Sequence, residues 1–120
     1  MTARFRLSEA ADDDIEDILA WSETNFGLDA HNRYLRLLEA AVAHAAASRD
    51  SLLLKPRPEL GDGVLSWHIS QSVIRAGGQR VRTPRHILYC RWEGDVLAVG
   101  RVLHERMDPT QHVDPDTDWA

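Results

Sequence analysis

Between residues 68 and 106 the chain carries His68, His86, His104, Tyr89, Arg82, Arg85, Arg91, Arg101 and Arg106. Residues of these types could cut RNA through its 2′-hydroxyl, which needs a base, an acid for the leaving oxygen and cations for the phosphate. Such a site would draw on Tyr89, Arg91, Arg101 and His104. Two facts stand against it. The single lysine, Lys55, lies in a loop away from the arginine-rich stretch, and the chain has no tyrosine near its C-terminus. His104 and Arg106 also have a purely structural use, because side chains at the end of a strand can hydrogen-bond a tail that folds back.

Other chemistries find less. His104 and His112 are eight residues apart, and Cys90 has no Cys or His at ligand spacing, so no metal site is expected. A lone Cys in an apolar run is inert core rather than a nucleophile. Gly77-Gly78 signals a turn and not a phosphate loop, and no cofactor is expected. Basic residues are interleaved with Trp67, Tyr89 and Trp92, but the chain is acidic overall, at −5, which argues against direct nucleic-acid binding.

The elements that must position these residues follow from pattern. Arg4–Leu7 alternates and reads as a strand. Ser8 is an N-cap, followed by Glu9, Asp12, Asp13 and Asp14 at the positive end of a helix. Ile15, Ile18, Leu19, Ser22 and Phe26 give that helix, over about 9–25, one apolar stripe with Trp21 at its edge. Gly27 stops it. A second helix over about 30–47 carries Tyr34, Leu37, Leu38, Ala41, Val42 and Ala45, and the short link makes the pair an antiparallel hairpin. Residues 49–63 read as loop, 64–70 as strand, 71–84 as a long connection, and 86–92 and 96–103 as strands around a tight turn at Glu93-Gly94-Asp95. The apolar run 96–103 marks a central strand. The reading is an α+β two-layer fold, β-α-α-β-β-β, with an antiparallel sheet covered on one face by the helix hairpin and the other face open. One domain is expected over 1–120, with a mobile tail from about 109.

Length and composition agree: 120 residues, 43% hydrophobic and 28% charged, suit one globular core. No apolar run is long enough for a membrane span, there is no signal-peptide layout, and one cysteine fits a reducing compartment, the cytoplasm. Charge is uneven. Residues 1–62 carry 7 basic against 12 acidic residues, residues 63–106 carry 7 against 3, and residues 107–120 carry four aspartates alone. A basic middle bracketed by acidic ends suits an anionic partner.

In this order the elements carry Phe5-Arg6-Leu7-Ser8-x-x-Ala11, Ile15-x-x-Ile18-x-x-Trp21, Phe26-Gly27 and Tyr34-x-x-Leu37. They then carry Arg85-His86-Ile87-Leu88-Tyr89-x-Arg91 and Val99-x-Arg101-Val102-Leu103-His104-x-Arg106-Met107-Asp108. The set resembles the RelE/ParE superfamily of type II toxin–antitoxin toxins over about residues 4–112, closer to its ParE branch. The resemblance implies a bacterial toxin in a hetero-oligomer with a cognate antitoxin. ParE-type members act on DNA gyrase, whereas RelE-type members cut messenger RNA in the ribosome; one fold serves both. The expectation is a protein inhibitor of gyrase, with no catalytic residues, and with RelE-like cleavage as the alternative. The binding surface is expected at Arg80, Arg82, Arg85, Arg101 and Arg106. The segment 71–84 is longer than the turn usual in this family. Ile15, Ile18, Leu19, Leu38, Leu65, Trp67, Leu88, Val99 and Leu103 are the expected core between helices and sheet.

Overall fold

The computed structural model describes residues 3–120. Its elements are β1 (Arg4–Leu7), α1 (Glu9–Phe26), α2 (Leu28–Ala46), β2 (Lys55–Pro56), β3 (Leu65–His68), α3 (Val73–Ala76), β4 (His86–Glu93), β5 (Val96–His104) and α4 (Pro109–His112). Ser8 caps α1 by accepting from Ala11 N–H at 3.0 Å. The same hydroxyl donates to the Gly100 carbonyl at 2.7 Å, so one residue ends β1, starts α1 and fastens both to β5. Gly27 alone joins the two helices. Its φ of 92° lies where a β-carbon is disfavoured, which is why the reversal falls at a glycine.

The fold is α+β, and the helix hairpin lies on one face of the sheet as the patterns require. The sheet itself differs from expectation in being mixed. Its order is β1-β5-β4-β3-β2, and β1 runs parallel to β5 while all other pairs are antiparallel. Alternation specifies a strand and its faces but carries no direction, and β1 meets a partner from the far end of the chain. The segment 71–84 also differs: after a 3₁₀ turn over Ile69–Ser72 it holds the short helix α3 before its irregular part.

The core between helices and sheet contains Leu19, Leu37, Leu38, Ala41, Trp67, Leu88 and Val99, all buried. Ile15, Ile18 and Leu65 pack at its margin, half-buried. Leu103 is buried on the opposite face. The cause is a bulge: Tyr89 pairs with Arg101 and Cys90 with Val99, which leaves Gly100 as an extra residue in β5. One inserted residue inverts the alternation, so Val102 rather than Leu103 follows Val99 inward.

The outer face is not open. Residues after β5 cross it as a strap, and Val113 and Trp119 pack with Leu60, Val64, Tyr89, Ala98 and Leu103. The Trp119 ring sits on Gly100, where a β-carbon would lie 2.7–3.0 Å from ring atoms. Gly100→Ala must therefore push the ring away. It is expected to cost about 1–3 kcal/mol by overpacking, seen in urea denaturation, with faster amide exchange over residues 113–119.

Candidate functional site

The residues singled out from sequence divide between two faces. Tyr89, Arg91 and Arg101 belong to the outer face, under or beside the strap. Tyr89 is 1% exposed, and the Arg57 guanidinium lies over its ring; burial raises its hydroxyl above the usual phenol range. Arg91 stacks on Trp119 at 4.5 Å and reaches Glu93. Arg101 forks onto Asp14 of α1 at 2.7 and 3.0 Å. It also donates to the His112 carbonyl and to Asp118. Asp14 in turn accepts from Val102 N–H, at the point where β1 has ended and the edge of β5 would otherwise be open. Arg101 thus joins helix, strand and strap. Arg106 is exposed, and its backbone N–H donates to His104 Nδ1.

Arg80, Arg82, Arg85 and His104 come together on the helix side. They line a groove of about 800 Å³ between α1, α2 and the irregular segment before β4. Its apolar lining is Ile18, Trp21, Phe26 and Val81, and Arg33 of α2 adds a further cation. Trp21 and Phe26 meet edge to face and remain 62% and 69% exposed, more than a helix end needs for packing. Among the described residues no carboxylate pairs with Arg33, Arg80 or Arg82. Arg85 pairs with Glu105 at 3.2 Å.

Tyr34 and His86 line the inner end of the groove; the sequence offered His86 only among the groups available for RNA cleavage and Tyr34 only as part of the apolar stripe of α2. The Tyr34 hydroxyl accepts from Arg85 N–H at 3.2 Å, and His86 Nδ1 is the one acceptor within reach of its own proton among the described residues, so that proton goes to His86. His86 therefore carries its hydrogen on Nε2. His104 Nδ1 accepts from Arg106 N–H, which leaves its hydrogen on Nε2 too. Burial, followed by the neighbouring His104 and His68, holds the His86 imidazole down to about 4. Burial pushes the Tyr34 hydroxyl up to about 12. At neutral pH this end of the groove is uncharged at His86 and lined by N–H donors.

A family model described as the ParE toxin of the type II toxin–antitoxin system parDE matches residues 5–109. The chain belongs to the ParE toxin family. Toxin ParE1 of Mycobacterium tuberculosis is 32% identical over 109 residues, covering 90% of this chain and 95% of its own. Toxin ParE1 of Caulobacter vibrioides is 27% identical over 109 residues, covering 91% and 96%. In this ParE-family toxin the matched span takes in every residue of the groove and stops short of Val113 and Trp119, the anchors of the strap. Among the described residues no helix is long and apolar enough to cross a membrane.

Proposed function

We propose that this toxin acts in the cytoplasm by binding DNA gyrase, and that a cognate antitoxin neutralises it by laying an acidic, amphipathic segment in the groove. The gyrase assignment follows from membership of the ParE branch. The observation that carries the docking surface is the groove itself: unpaired arginines on its rim above exposed Trp21 and Phe26. Amphipathic helices seat apolar residues in such grooves, and rim charges steer their approach. The alternative, messenger RNA cleavage, draws less support. Tyr89 is buried under the strap, Arg101 is engaged with Asp14 and Asp118, and His104 lines the groove on the other side of the sheet.

The deciding experiment runs purified gyrase supercoiling beside ribosome-programmed messenger cleavage. Inhibited supercoiling with intact messenger is expected; cleaved messenger with unaffected gyrase would overturn the assignment. Under a binding mechanism His104→Ala lowers toxicity by degrees, with an interface loss of about 1–3 kcal/mol, and Tyr89→Phe acts only through stability, because Tyr89 is buried under the strap. Loss of a general acid or base would instead cut a rate by about 10²–10⁴-fold with folding intact. Antitoxin affinity should fall as salt rises and should fall further in Arg80→Ala and Arg82→Ala. An affinity indifferent to both would remove the arginines from the interface.

A further inference from the structure

His86 and His104 are register partners on β4 and β5, with ring centroids 5.3 Å apart. Both line the groove, and both have Nδ1 already filled, by the Tyr34 hydroxyl and by Arg106 N–H. No acceptor among the described residues meets either Nε2–H. The charged and titratable groups around His86 come from every neighbouring element: Tyr34 from α2, Asp14 from α1, His68 at the end of β3, Arg85 before β4, and His104 and Glu105 at the end of β5. Both carboxylates are already committed. Asp14 holds Arg101 and Val102 N–H, and Glu105 pairs with Arg85 and His68. Asp17 of α1 also lines the groove, but among the described residues no hydrogen bond joins it to either imidazole, so the two Nε2–H groups are donors with no acceptor in contact.

We infer that this inner end is a carboxylate pocket, in which the Nε2–H groups of His86 and His104, with the Arg85 guanidinium, receive an acidic side chain of the docked segment, and that a proton is taken up as it binds. The inference rests on the reading of the groove as the docking surface and adds the contact that fixes register within it. A carboxylate against His86 supplies the counter-charge that its buried surroundings lack, and so favours the imidazolium. Protons bound only in the complex make affinity rise as pH falls.

The probe is a fluorescein-labelled 14-residue peptide with Leu at helical spacing and Glu elsewhere, read by anisotropy against the full chain at pH 7.5 and 5.5. Return of His86 to an ordinary value near 6.5 makes binding about tenfold tighter at the lower pH. His86→Asn keeps an acceptor for Tyr34 but lacks the far N–H. It should bind more weakly than the unsubstituted chain at pH 7.5, having lost one donor, and should lose most of the tenfold response between the two pH values, which also separates protein protonation from any change in the peptide's own helicity. In the unsubstituted chain, the His86 ring resonances should titrate at higher pH with peptide than without. Binding that depends on Arg80 but not on pH overturns the pocket and leaves the groove reading standing. No peptide binding at all overturns both. A single-stranded RNA oligomer run in parallel should not show the His86-dependent response; if it alone does, the ligand is a phosphate and the carboxylate assignment fails.

Discussion

Arg101→Ala is expected to destabilise the fold by about 3–5 kcal/mol, the cost of removing one member of a largely desolvated charge cluster. Its side chain is 19% exposed and that of Asp14 15%. Without the guanidinium, the half-buried Asp14 and the buried Asp118 remain as carboxylates with no cation, and the His112 carbonyl loses its donor. The strap should also detach, because Asp118 anchors it by accepting from both Arg101 and Asp114 N–H. Urea denaturation measures the loss, and a value below about 1 kcal/mol would show that the cluster is solvated in solution. Arg101→Lys should restore only part of the stability, since an ammonium cannot match the two-pronged contact with Asp14.

Acid should destabilise the protein through His86. Its folded value of about 4 lies below the ordinary 6.5, so the unfolded chain binds this proton more readily than the folded one. The contribution to stability is complete above about pH 6.5, shrinks as pH falls and is gone below 4; over that window it amounts to about 3 kcal/mol. Glu93 and Glu105, held low by Arg6 and Arg85, add to acid lability only near the ordinary carboxylate range. Denaturation of the unsubstituted chain and of His86→Asn at pH 7 and pH 5 isolates the histidine. The variant should be the less sensitive of the two over this interval, and equal slopes would refute the claim.

Elements were legible in the residues to a degree that depended on how local their causes are. Ser8, the acids after it, the apolar stripes and Gly27 act within a few residues, and α1 and α2 fall within one or two residues of the expected ends. The face of Leu103 was not legible, because the bulge at Gly100 answers a contact from Trp119, nineteen positions on. The strap was hidden for a similar reason. Four aspartates and two prolines read as solvated chain, and only the folded sheet presents the arginines and the Gly100 floor that hold it. Among the site residues, Arg80, Arg82 and Arg85 stood out by charge, and they share the groove. Arg101 carries the same charge and was grouped with them, yet it lies on another face, since charge does not reveal which side of a bulge a residue takes. Trp21 was visible at the edge of its stripe. Tyr34 looked like core, and nothing in one helix announces that its hydroxyl will meet a histidine 52 positions away.

The parallel pairing of β1 with β5 bears on how the chain is made. Ser8 and Gly100 are 92 positions apart, so β1 leaves the ribosome well before its sheet partner β5. The helix hairpin needs only neighbours in sequence and can form early, whereas closing the sheet at β1 must wait for β5 and then meet the entropy of a long loop. Until that closure, Asp14 has no Arg101, and the inner end of the groove lacks the strand that supplies His104. A growing chain of this toxin therefore carries its rim arginines before it has a finished groove, and competence to dock a partner arrives only once β5 has been made and paired.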